Sequence, residues 1–418
     1  MKCIKQPLLL FASLTAGTQL MAQNMNSPYS VYGIGDIDPR PYNRTSGMGG
    51  AGLALNSSYY MIDNNPAAIS GLYRSFINVD AAFTGKTVRY SGSPIDADNS
   101  NNKDFWIKKL SMAVKINNFW ATSIGFGQFS NVNYVLTGTK TVTGSLTNYY
   151  AYYEGDGGLN EYYWTNAFQL GKRLALGVRS SLISGSINQT ETVTDESLST
   201  AVSTKIQDFM SKARFQFGGI YTQPLNKSWD LSFGGKYIPR INMKSDRGLT
   251  VTDGSSTIIN DDFIKTDRFS LPDTYGGGIA LKKHNKVTYA LDYTYEDWSA
   301  LKVKNNGWQL ISSNRIAGGV EFSRQATTWN KQSFEKGFFQ LGGFFNNSYL
   351  QVRNEPIREF GVTAGMGGFL GNNLLYTFSL EGGSRGTKAQ NLIKENYVQA
   401  TITLSYRDLL QSKGRKYD

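Results

Sequence analysis

The sequence predicts an all-β protein, a transmembrane antiparallel β-barrel of about 14 strands with an N-terminal hatch lying as a plug in the lumen. Three observations predict it. Apolar and polar residues take turns along short segments, the connections between those segments alternate between short and long, and an export leader opens the chain. The 418 residues include 25 Tyr, 23 Phe and 44 Gly but one Cys and one His. That mixture suits aromatic girdles and tight turns, and it lacks the ligands for a zinc site or a disulfide scaffold.

The leader comes first. Lys2 and Lys5 precede the apolar run Leu8 to Gly17, and small residues end at Ala22. This is the pattern of a secretory signal peptide over residues 1–22, too short to span a membrane as a helix. Its removal takes away Cys3, so the exported chain holds together without disulfides.

The alternation is clearest in two places. From Tyr397 to Arg407, Val398, Ala400, Ile402, Leu404 and Tyr406 share one face, while Gln399, Thr401, Thr403 and Ser405 share the other. From Val287 to Glu296, Tyr289, Leu291, Tyr293 and Tyr295 oppose Thr288, Asp292, Thr294 and Glu296. Successive strand side chains point to opposite faces, so each segment has one greasy and one wet side. Some fourteen such segments fall between residues 76 and 407, each near the ~10 residues that a tilted strand needs to cross a bilayer. Tight connections such as Asn117-Asn118 and Gly171-Lys172-Arg173 alternate with long ones at 130–160, 187–211 and 242–273. Short periplasmic turns and long outer loops are the pattern of an outer-membrane barrel. Residues 325–336 break this order as a periplasmic excursion or a misplaced strand boundary.

Residues 23–75 do not alternate. They are rich in Gly, Asn, Ser and Tyr, a composition suited to a backbone that bends tightly in a confined space. The expected division is therefore a leader (1–22), a hatch (23–75), a barrel (76–407) and a periplasmic tail (408–418) with Lys413, Arg415 and Lys416.

Within the hatch, Arg44-Thr45-Ser46-Gly47-Met48-Gly49-Gly50-Ala51-Gly52 and Asn64-Asn65-Pro66-Ala67-Ala68-Ile69 resemble the hatch of FadL-type outer-membrane transporters. Leu271-Pro272-Asp273 and Glu359-Phe360-Gly361 are similar to later stretches of the same family. The resemblance implies a 14-stranded, hatch-plugged barrel. It also implies passive uptake of small hydrophobic molecules, fatty acid-like or aromatic, by lateral diffusion from a pocket beside the hatch N-terminus. Gly49, Gly50, Ala51, Gly52, Asn65, Pro66 and Ala67 would be the hatch motif. Tyr29, Tyr32 and Ile34 would line the pocket, or else pack the plug against the wall. The same barrel type also serves as a non-transporting shuttle or scaffold subunit in secretion and barrel-assembly machines.

The expected partners are a hydrophobic small molecule or lipid, outer-membrane lipid and lipopolysaccharide, and, on the second use, other envelope proteins. The net charge of +11 is scattered through turns and lumen-facing positions such as Lys86, Lys115, Arg179 and Lys236, so nucleic acid is not expected. His284, the sole imidazole, sits in a tight turn, and Asp80, Asp292 and Glu296 read as lumen charges that pair across the pore. The expectation is no enzyme and no cofactor.

Overall fold

The alternation resolves into the two faces of one closed sheet. A computed structural model describes residues 27–93, 95, 100–141, 148–195, 200–283, 286–327, 333–371 and 373–410. The leader, His284 and the basic end 411–418 lie outside these residues. Fourteen wall strands, numbered in chain order, form the barrel. They are β1 (Phe76–Gly92), β2 (Asn101–Lys115), β3 (Trp120–Thr141), β4 (Asn148–Leu170), β5 (Leu174–Asp195) and β6 (Thr200–Pro224). Next come β7 (Trp229–Ile238, continued as Ile241–Asp253), β8 (Ser256–Leu271, continued as Thr274–Lys283) and β9 (Val287–Glu296). The last are β10 (Ser313–Thr327), β11 (Ser333–Val352), β12 (Glu355–Phe369), β13 (Leu374–Gly386) and β14 (Ile393–Leu409). All neighbours are antiparallel, and β14 closes on β1 from Ile393↔Gly92 to Leu409↔Phe76. Closure leaves no long sheet edge for lipid to desolvate.

Polarity runs inside out. Val398, Ile402, Tyr406, Tyr289, Leu291 and Tyr293 are exposed on the outer face, whereas Gln399, Thr401, Thr403, Ser405, Thr288 and Asp292 are buried in the lumen. In a barrel the outer surface meets hydrocarbon, so exposed apolar side chains are in their preferred medium.

The stretches expected as long outer loops are mostly strand. β3 pairs with β4 as far as Thr141↔Asn148, β5 with β6 to Asp195↔Thr200, and β7 with β8 to Asp253↔Ser256. Beyond the bilayer both faces of a hairpin meet water, so a period-two pattern disappears while Thr and Tyr still favour extended backbone. Residues 325–336 are a misplaced boundary of the same kind, since β10 and β11 pair down to Thr327↔Ser333. The connection after β9 remains a true loop. It holds a 3-10 turn, Trp298–Leu301, and a hairpin whose Trp308–Leu310 arm pairs with β11.

Residues 27–75 contribute no wall strand. They form three 3-10 turns, Pro28–Val31, Arg44–Met48 and Pro66–Gly71, buried within the barrel. No helix among the described residues is long and apolar enough to cross a membrane.

A charge on the outer face tests this arrangement. Leu291→Arg should lower the stability of the barrel refolded in bilayers by about 2–4 kcal/mol. Thr139→Arg, on the extension above the membrane, should change it by less than about 0.5 kcal/mol. Equal effects in denaturant titrations would contradict the assignment of faces.

Candidate functional site: the hatch, its cavity and the seam in the wall

The hatch turns are capped by their own sequence. Asn43 Oδ1 accepts from Thr45 N at 2.8 Å, and Ser46 Oγ accepts from Asn43 N at 3.3 Å, a reciprocal cap. Gly49 ends this turn with φ 67°, a left-handed conformation that costs glycine little, and a Cβ there would lie 2.3 Å from Gly343 O. Asn65 caps the last turn ahead of Pro66 and also ties it to the wall. Its Oδ1 accepts from Ala67 N at 3.0 Å, while Nδ2 donates to Leu53 O, Gly219 O and Gly235 O at 2.9, 3.0 and 3.1 Å. One fully buried amide thereby joins two hatch segments to β6 and β7.

Buried ion pairs complete the attachment. Arg44 makes a bidentate contact with Glu321 of β10 (2.9 and 2.7 Å) and reaches Glu335 of β11 at 2.9 Å, its guanidinium lying 4.2 Å from the Phe338 ring centroid. Arg40 binds Glu359 at 2.6 Å and Glu381 at 2.8 Å, and donates to Tyr397 Oη at 2.9 Å, on β12, β13 and β14. Asp63 meets Lys109 at 3.2 Å, Asp38 meets Lys108 at 3.4 Å, and Asp36 meets Arg385 at 2.7 Å. Asp292 of β9 accepts from Gly52 N and Leu53 N at 2.6 and 2.9 Å. The anchors thus surround the plug.

These partners set the titration of the hatch carboxyls. Burial alone would raise Asp38, but the Arg40 and Lys108 charges and the Tyr42 hydroxyl outweigh it and hold Asp38 well below the usual 3.8. Burial likewise opposes ionisation of Asp63, and Lys109 and Arg179 reverse it.

Between hatch and wall lies a cavity of about 290 Å³. Its walls carry both signs of charge, including Arg179, Arg214, Lys236 and Arg315 opposite Glu161 and Glu296. Trp298 roofs it, stacked on Tyr349 with centroids 4.4 Å apart and donating Nε1–H to Glu296 at 2.7 Å. The apolar side chains at this level, among them Met210, Met243, Phe269 and Leu271, are packed together.

Among the described residues, two interruptions of the wall ladder bear on the site. β2 and β3 pair only from Lys115↔Ala121 to Lys109↔Gly127. Beyond that, a bulge at Phe129 bends β3, and the hatch pair Asp36–Ile37 takes up the freed edge opposite Asn131 and Ser130. The second break lies where Pro239-Arg240 of β7 faces Pro272-Asp273 of β8. Neither proline can donate to the ladder, and residues 211–216 of β6 lose their β7 partner there.

Of the residues singled out from sequence, Gly49, Gly52 and Asn65 meet the wall as described, Pro66 lies so close to Gly218 that a Cβ on that glycine would be 2.7 Å from the proline Cδ, and Ala51 and Ala67 are fully buried. Tyr29 donates to Ile393 O at 2.6 Å among Leu350, Val352, Ile357 and Leu392, and Tyr32 packs on Trp308 with centroids 5.5 Å apart. Ile34 is fully buried near Phe269 and Trp298. Gly50 lines the cavity, whereas Tyr29, Tyr32 and Ile34 do not. Asp80 lies 4.0 Å from Lys109 on the neighbouring strand β2, a pairing along the wall instead of the one expected across the pore. The anchoring charges Arg40, Arg44, Asp38 and Asp63 are not among the residues picked out as site candidates. Six charges (Asp36, Asp38, Arg40, Arg44, Asp63 and Arg74) in a segment otherwise rich in Gly, Asn and aromatics are the signal that finds them.

Fold and site together define a hatch-plugged β-barrel of outer-membrane type. The chain belongs to the BamG family, whose model matches residues 3–418. Among curated proteins none matches the sequence. Solved structures of similar fold include the toluene transporter TbuX of Ralstonia pickettii, with TM-score 0.58, 12% identity, and 88% of this chain and 98% of that one covered. Others are the Pseudomonas putida toluene transporter TodX (0.57, 14%, 91% and 99%) and a Pseudomonas aeruginosa FadL homologue (0.58, 11%, 89% and 99%). The fold is thus that of the FadL-type barrels.

Two outcomes follow from the anchors. Arg44→Ala strands two buried carboxylates, so it should destabilise hatch seating by about 3–5 kcal/mol and expose residues 40–70 to protease in the folded barrel. Intact protection would contradict the role given to Arg44. The depressed carboxyls contribute fully above their unfolded value of 3.8, and that contribution is lost as pH falls through their lower folded values. Protease protection of the hatch should therefore hold from neutral pH to roughly pH 5 and fail only below the usual carboxylate range. Loss of protection near pH 6 would contradict it.

Proposed function

We propose that this protein is a sealed outer-membrane barrel acting as a shuttle or scaffold subunit of a complex that assembles or exports other envelope proteins. The observation that carries the reading is the interior. Charged side chains line the cavity, and buried Arg–carboxylate pairs bind the plug to strands across the wall. A hydrocarbon gains nothing on entering a charged chamber, whereas a small-molecule pocket for it would be lined mainly by apolar groups. The BamG assignment points the same way.

Purification of the native protein in mild detergent tests this. The expected result is a stoichiometric complex with other envelope proteins. A monomer carrying a bound lipid-like molecule would overturn it.

A second reading, passive uptake of a small hydrophobic compound, is favoured by one feature, the unpaired stretch between β2 and β3. A solute leaving there would enter the bilayer past the hatch pair Asp36–Ile37, which holds part of that edge. A cysteine pair replacing Lys108 and Gln128, whose side chains meet at 2.7 Å across the seam, would lock it. On this reading the oxidised variant takes up toluene more slowly in proteoliposomes than the reduced one. On the first, oxidation changes nothing and the complex persists.

A further inference from the structure

Among the described residues, the exposed cations at the periplasmic end are not spread evenly around the barrel. Lys172 and Arg173 occupy the β4–β5 turn, Lys227 the β6–β7 turn and Lys286 the β8–β9 turn, all exposed, and Arg324 is exposed on the outer face near the end of β10. Lys283 lies on the outer face of β8, with Nζ 5.5 Å from the Trp229 ring centroid. The remaining half of the rim differs. Its turns, Ile116-Asn117-Asn118-Phe119 and Leu370-Gly371-Asn372-Asn373, carry no charge, Ile116, Phe119, Leu370 and Leu410 are exposed, and Arg74 is exposed just before β1.

Depth identifies what the basic arc meets. Its residues follow directly on the outward apolar positions Leu170, Tyr221, Leu225 and Phe322, which are exposed to the bilayer side. Side chains one or two residues beyond such a band sit at the level of the lipid headgroups, where long cations extend along apolar surface and place their charge at the interface. Consecutive hairpins are two strands apart, hence roughly 10 Å, so each turn presents its charge to a separate headgroup. Asp230, beside the arc, stands in register with Lys282, and its place in the alternation puts it on the lumen face. A protein partner held by charge would be met by a patch on one protruding element, whereas these charges are spaced along a flat rim.

We infer that the β4–β10 side of the periplasmic rim selects anionic glycerophospholipids, binding their phosphate-bearing headgroups in the periplasmic leaflet, more strongly than the side that carries the two uncharged turns. Lipopolysaccharide phosphates lie in the opposite leaflet and are not the ligand of this arc.

The test uses the full chain in nanodiscs containing photoactivatable phosphatidylglycerol and phosphatidylethanolamine in turn, with cross-links mapped by mass spectrometry. Phosphatidylglycerol should label the peptides around 172, 227 and 286 more than phosphatidylethanolamine by roughly tenfold, and added salt should collapse that excess. The variant carrying Lys172→Gln, Arg173→Gln, Lys227→Gln and Lys286→Gln should label equally with both lipids, and the corresponding Lys→Arg variant should retain the preference. Heat-modifiable mobility on gels shows that each variant has folded. The salt series on the unaltered protein decides the matter if the fourfold variant does not fold. Equal labelling of the native chain, labelling centred on the uncharged turns, or an excess that survives neutralisation would overturn the proposal. So would capture of an acidic periplasmic protein through these same charges in the absence of any lipid preference.

Discussion

A strand in hydrocarbon must satisfy its backbone polar groups without water, and closing the sheet is the one way for a β-protein to do so. That requirement fixes the outer face of this barrel as apolar and sends every other side chain inward. The lumen is then crowded with Asp, Glu, Lys, Arg, Ser and Thr, and those charges need partners of their own. The hatch supplies them. Arg40 and Arg44 meet four wall carboxylates between them, and Asp36, Asp38 and Asp63 meet wall cations. Plug and wall are therefore two halves of one polar core, enclosed by an apolar exterior.

Such a core is specific in geometry. An ion pair removed whole and replaced by apolar groups can be neutral, but one partner removed alone leaves a buried charge. With anchors on β2 and on β9 through β14, the hatch has one orientation that satisfies them together. Close backbone approach reinforces this, as at Gly47 against Gly365, where a Cβ on Gly47 would lie 2.7 Å from the facing Cα. The wall yields instead at its ladder breaks. Beside β2 and β3 the hatch strand Asp36–Ile37 substitutes for the missing neighbour, so one of the two interruptions is partly mended by the plug itself.

How much of this was legible in the sequence follows from what leaves a periodic trace. Within the bilayer the two faces of each strand meet different media, so segments such as 287–296 and 397–407 could be read residue by residue. Above it, the hairpins around Thr141 and Asp195 meet water on both sides and left no alternation to read. The hatch motif was visible because tight bends restrict residue choice, as at Gly49 and at Asn65-Pro66. The pairing of Arg40 with Glu359 joins residues 319 positions apart, and no local pattern carries that information. Nor does periodicity reveal the charged cavity, since it depends on which inward residues from seven or more strands converge at one height. The aromatic residues near the hatch start, Tyr29 and Tyr32, are conspicuous in sequence, and their side chains pack into apolar clusters away from that cavity.

The most direct measurement is hydrogen exchange of the hatch amides in the bilayer-embedded protein. If plug and wall share one polar core, the amides of Gly52 and Leu53, held by Asp292, will exchange as slowly as the ladder amides of β9. Exchange as fast as that of the exposed turn at Asn226 would mean a loosely seated plug and would contradict the account.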